Sequence, residues 1–191
     1  MTNAESIAKA ITDYYHQDIR EISPNLGFTN KAYQDAIRLV GWYSTGEWCA
    51  YSAILACKEG YINNGHPEIW EYFHKLDSGN SQQMARNCHA DKFWPTGLEP
   101  AVGAVIVWQN GDSFTTGHTG ICIAVDLDGI HYTTLEGNST DPRKPNPVPG
   151  ASEREGWTIG MHVHTIGAPH SSNGLNFLRA IYAVEELPKA N

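Results

Sequence analysis

No stretch of this 191-residue sequence approaches the ~18 consecutive apolar residues of a membrane span, so no spanning helix is expected. A basic start followed by an apolar run is missing too. The opening MTNAESIAKAITDYYHQDIREI is polar and acidic throughout, and no signal peptide is read there. Synthesis in the cytoplasm is the expectation, with any target in the cell wall or periplasm reached by release or injection. Positive charge is scarce: 13 Lys and Arg against 21 Asp and Glu give a formal charge of −8. Such a balance offers no broad basic footprint for nucleic acid or an anionic membrane surface. Cysteine is sparse as well, at Cys49, Cys57, Cys88 and Cys122. No CxxC pair exists, which argues against a closed zinc site. Cys49 and Cys57 fall in one predicted helix, where the intervening rise of ~12 Å exceeds the ~7 Å limit for a bridge. Free thiols are expected, and no metal or cofactor is called for.

What is present is globular: 41% apolar and 10% aromatic residues, in a length that suits one domain over 1–191. The first part, 1–97, reads as mainly helical. Ile7, Ile11, Tyr14, Tyr15 and Ile19 recur at helical spacing. A second helix begins near Asn30 and stops around Gly41. A third runs from Cys49 to Glu59 with Gly60 as its stop. Pro67 opens a fourth, and a short one spans Gln82 to Cys88. From 98 to 187 the pattern turns to strands: GAVIVWQ, HTGICIAVD, IHYTTLE, TIGMHVHTI and LNFLRAIYAVEE, with an LDG hairpin turn between the second and third. Helices first and an antiparallel sheet second is the α+β arrangement.

Thiol catalysis needs a cysteine favoured as thiolate, a base within reach and a group that orients the base. Cys49 stands at a predicted helix start in GWYSTGEWCAYSAI, where the dipole and unpaired N–H groups favour an anion. His118 opens a strand in TTGHTGICIAV between two glycines that permit close approach of another backbone. Glu136 and Asn138 end the next strand in TTLEGNS, where either can accept the imidazole N–H. Each has a plainer reading taken singly: a buried thiol, a turn histidine, a solvated strand end. Their order on one scaffold is what favours catalysis. Cys57, inside the helix, and Cys122, inside an apolar strand, keep the plainer reading, as does Cys88.

The blocks GEWCAYSA, GAVIVW, GHTGICIAV and LEGNS, in this order over roughly residues 40 to 140, resemble the CHAP group of papain-like amidases and peptidases, relatives of the NlpC-type cell-wall hydrolases. FLRAIYAV is similar to that family's closing strand. The resemblance implies Cys49 as nucleophile, His118 as base, and Glu136 with Asn138 as orienting groups, Glu136 being favoured. It implies amide hydrolysis in peptidoglycan or a muropeptide through a thioester, as in a phage or prophage endolysin working as a monomer beside a holin-type delivery partner. An injected antibacterial effector, with an immunity protein as its partner, shares every one of these features. Two further readings stay open: an intracellular amidase on a small peptide conjugate, and an inactive fold that binds glycan or protein. The sequence departs from some members where an Asp-rich calcium loop would precede the cysteine, since VGWYSTGE stands there, and no structural calcium is expected.

Other features read more plainly. His162 and His164 lie two apart in MHVHT, on a strand face expected to be solvated. Among Trp42, Trp48, Trp94 and Trp157, at least half are expected in the core, with Trp48, beside the nucleophile, as the substrate-binding candidate in the cleft. The run RKPNPVPG is read as a rim over the site or a plain connection.

Overall fold

The structure is a computed structural model that describes residues 1–113, 116–144 and 156–188. The rim segment RKPNPVPG therefore lies, beyond Lys144, outside the described residues. Five helices come first: α1 (Asn3–His16), α2 (Lys31–Arg38), α3 (Cys49–Asn63), α4 (Pro67–Phe73) and α5 (Ser81–Ala90). Six strands follow: β1 (Thr96–Gly97), β2 (Val105–Gln109), β3 (Gly117–Val125), β4 (His131–Ser139), β5 (Thr158–Thr165) and β6 (Asn176–Ile181). They form one antiparallel sheet in the order β1-β6-β2-β3-β4-β5. The α+β reading is borne out. No described helix is long and apolar enough to cross a membrane.

Local chemistry sets the helix ends. α1 starts with a capping box, Thr2 accepting from the Glu5 N–H and Glu5 accepting from the Thr2 N–H. Asn30 and Asn80 cap α2 and α5 through their side chains. α3 begins differently: Trp48 occupies its N-cap and makes no side-chain cap. The expected stop at Gly60 is corrected, because α3 runs on to Asn63. Gly60 serves packing instead. A Cβ there would lie 2.4 Å from Ile7 Cγ1 and 2.7 Å from Ile7 Cα, so the missing side chain is what lets α1 and α3 cross closely. Gly65, at φ 87, follows the helix and supplies the left-handed turn.

Alternation along the strands divides the sheet into two faces. Val105, Val107, Ile121, Leu135 and Ile159 join the helices in the larger core. On that side Trp48, Phe28, Tyr33 and Trp42 pack ring against ring at 4.9–6.1 Å between centroids. Ala104, Ile106, Trp108, Cys122 and Tyr132 belong to a second, smaller cluster, completed by Ile166, Leu175 and Phe177. The connection between β5 and β6 thus folds back over the face the helices leave open. It is tied down by the N–H of Ile166 on the Ile130 carbonyl (2.8 Å) and closed on itself by the N–H of His170 on the Leu175 carbonyl (2.7 Å).

Candidate active site

Cys49 is the first residue of α3 and is 7% exposed. With no side chain capping α3, its first amides are left for an anion at the helix tip. His118 is the second residue of β3 and lies in register with Trp108 of β2, its ring stacked on that indole at 6.2 Å. The Cys49 thiol is near enough to the His118 imidazole to act on its protonation. On its other side, His118 Nε2 meets Glu136 Oε2 at 3.0 Å. Since an ionised carboxylate only accepts, Nε2 carries the proton, and Nδ1 is the nitrogen left to face the sulfur. That is the tautomer a general base requires.

Gly120 explains how Glu136 reaches His118. A Cβ on Gly120 would sit 2.5 Å from Glu136 Cγ and 2.9 Å from the Leu135 carbonyl oxygen. The bare backbone two residues after His118, on the same strand face, is the bed on which the glutamate side chain lies. Gly117 does the same for Gln82, whose Nε2 would be 1.7 Å from a Cβ there. The glycines around His118 therefore admit side chains as well as backbone.

Glu136 is fully buried and collects four donors. His118 and His170 direct Nε2 at Oε2, at 3.0 and 2.9 Å. His164 Nε2 lies 2.9 Å from Oε1, which also accepts from the Thr134 hydroxyl. Burial would raise this carboxyl, but the hydrogen bonds from the three histidines hold it well below the usual carboxylate range. Burial would likewise push His118 down. Its hydrogen bonds to Cys49 and Glu136, with their charges, outweigh that and hold it at about 10. Burial pushes the Cys57 thiol upward, and the thiols of Cys88 and Cys122 up to about 12.

Asn138 sits two residues past Glu136, at the bulge where the β4–β5 register shifts between Glu136 and Ser139. Its backbone is left-handed, at φ 53, and its buried Oδ1 has no partner among the described residues. The hydrogen bond to His118 is thus made by Glu136.

Several sequence expectations are corrected here. Trp48 is wholly buried in the helix-side core, so it offers no surface to a cleft. Trp42, Trp94 and Trp157 are buried as well. The strand face of His162 and His164 is not solvated: they are 8% and 2% exposed, while Val163 between them is 57% exposed. Register is the cause. Pairing of His162 with Thr134, and of His164 with Tyr132, turns both rings inward over β4. His162 Nε2 meets Ser139 Oγ at 2.8 Å and stands 3.9 Å from Glu136 Oε2. His170, fourth in the group, was not singled out in the sequence at all. The signal available was a third histidine shortly after MHVHT, all of them following a strand that ends in a carboxylate.

No curated protein and no solved structure matches the chain. The family model described as the CHAP domain matches residues 41–138, a span that runs from just before Cys49, through His118, to Glu136 and Asn138. The chain therefore belongs to the CHAP domain family, a family of peptidoglycan amidases and peptidases.

Proposed function

We propose that this chain is a cysteine amidase or endopeptidase that cuts amide bonds of peptidoglycan, with Cys49 as nucleophile, His118 as acid and base, and Glu136 orienting His118. The observation that carries the reading is the hydrogen bond from His118 Nε2 to the buried Glu136 carboxylate, with Cys49 at the tip of α3 acting on the same imidazole. In the forward step the Cys49 proton passes to His118 Nδ1, Sγ attacks the amide carbonyl, and the developing oxyanion is held by the amides at the start of α3. The His118 imidazolium gives its Nδ1 proton to the departing amine, leaving a thioester on Cys49. Water then attacks the thioester as neutral His118 Nδ1 takes its proton, and the thiolate departs. Glu136 stays ionised throughout.

Bacterial walls are the substrate to test first, because the family acts on peptidoglycan. On a gel containing purified walls, the wild type should clear a zone and Cys49→Ala should not. Equal clearing by both would end the reading. An endolysin role belongs to the same proposal and makes a separate claim: cells expressing the protein should lyse only when a holin-type membrane lesion is supplied. Lysis without the lesion would refute that role alone.

A further inference from the structure

We propose, resting on the catalytic reading of Cys49, His118 and Glu136, that His164 and His170 are positioning residues: a pair of neutral imidazoles that clamp Glu136 in its ionised form and so fix His118. Both lie beyond the segment matched by the family model. His164 comes from β5 and His170 from the β5–β6 connection.

The clamp answers a physical problem. A carboxylate removed from water costs several kcal/mol unless donors replace its hydration, and without them it takes up a proton instead. A neutral Glu136 would strip the His118 imidazolium of the buried negative charge on its Nε2 side. Donors that were themselves cations would solve the first problem and worsen the second, by competing for the same carboxylate and repelling His118. Neutral N–H donors solve both.

The backbone makes them neutral. The Ser171 N–H points at His164 Nδ1 from 3.3 Å, and the Ser172 N–H points at His170 Nδ1 from 3.2 Å, with the Ser172 hydroxyl at the same distance. An amide N–H cannot accept, so protonating either Nδ1 would set two hydrogens against each other. The ring proton therefore sits on Nε2, the atom that meets Glu136 in both residues. Two successive residues of one loop thus choose the tautomer of two rings from different parts of the chain. Trp108 packs at 4.6 Å against His170 and 5.0 Å against His164, and Tyr132 at 5.1 Å against His164, which holds the rings in place.

The carboxylate faces His118 from β3, Thr134 from its own strand, His162 and His164 from β5, and His170 from the connection. The ligand atoms of His118, Glu136 and His170 are also close enough for one metal ion. The same tautomers argue against that use. An Nε2 that bears hydrogen has no lone pair to give, and freeing it would break the contact with the Ser172 N–H.

The test has three parts. Nitrogen-15 spectra of the imidazoles in Cys49→Ala should show His164 and His170 as Nε2–H tautomers with unprotonated Nδ1 from about pH 6 to 8. A protonated Nδ1 in either ring at pH 7 would overturn the clamp. Second, His170→Ala should lower kcat about tenfold to a hundredfold, the loss of one hydrogen bond to a charged group, with KM little changed. The acid limb of its pH profile should move up by about a unit, because Glu136 takes a proton sooner. His170→Gln, which keeps an N–H donor but cannot be charged, should restore the rate to within about threefold; an unmoved acid limb in the Ala variant, or failed rescue by a folded Gln variant, would refute positioning. Third, Cys49→Ala should bind no stoichiometric Zn²⁺, and one ion per chain lost in the His170→Gln double variant would make the cluster a metal site instead. Should the wild type leave walls intact while Cys49 alkylation still slows in His170→Ala, the substrate reading fails and the clamp stands.

Discussion

Replacing Glu136 by Gln keeps the shape of the side chain and removes its charge. The amide must choose which way to face. With its NH₂ toward His118 and His170, two ring N–H groups would meet a donor, and His170 could not change tautomer because the Ser172 N–H occupies its Nδ1. The opposite orientation is cheaper: the NH₂ meets Thr134, whose hydroxyl can turn, and His164 Nε2 still has Thr134 Oγ1 at 2.9 Å. One or two charge-assisted bonds at about 1.5–3 kcal/mol are weakened. Allowing for these rearrangements, the variant should fold with a Tm lower by about 5–15 °C. Catalysis should suffer far more. The His118–Glu136 contact of 3.0 Å places the charge centres about 4 Å apart, an attraction of about 4 kcal/mol at an effective dielectric of 20. Losing it should lower kcat about a thousandfold. Turbidity loss of wall suspensions gives kcat, and melting followed by circular dichroism gives Tm. A folded Glu136→Gln variant working within about threefold of the wild type would refute the role of the buried charge.

Gly120→Ala should act on the same carboxylate sterically: a Cβ 2.5 Å from Glu136 Cγ forces the side chain off His118, so kcat should fall at least about tenfold with a stability loss of about 1–3 kcal/mol. Gly60→Ala should do the reverse, costing about 1–3 kcal/mol through its clash with Ile7 while leaving the kcat of the folded fraction unchanged, as thermal melts and initial rates would show. The raised His118 makes a signed claim about pH. Its stabilisation is complete below the ordinary imidazole value of about 6.5 and is lost as pH rises through about 10, so Tm should fall across that window. His118→Gln should flatten this slope, as melts in a pH series would reveal.

The line from Cys49 to Glu136 was legible because each member announces itself locally. A cysteine follows a turn and opens a helix of small residues, a histidine stands between glycines at a strand start, and a carboxylate ends the neighbouring strand. Periodicity gave the helices and strands for the same reason: it is a local property of the chain. What sequence could not show was which way β5 faces. Exposed Val163 flanked by buried His162 and His164 inverts the usual pattern, and only pairing register with β4 decides it. Gly60 misled in a related manner, since a glycine that admits a crossing helix and one that ends a helix look alike until Ile7 is placed beside it. Trp48 was read from its place beside the nucleophile, yet its side chain points the other way, into the aromatic core.

The most direct test of the account is to catch the intermediate. Wild-type protein mixed with soluble muropeptides and quenched in acid within milliseconds to seconds should carry an acyl group in thioester linkage on the Cys49 peptide, visible by mass spectrometry and released by hydroxylamine. Cys49→Ala should carry none and release no new amine. An acyl group on another residue, or amide cleavage by the Cys49→Ala protein at the wild-type rate, would contradict it.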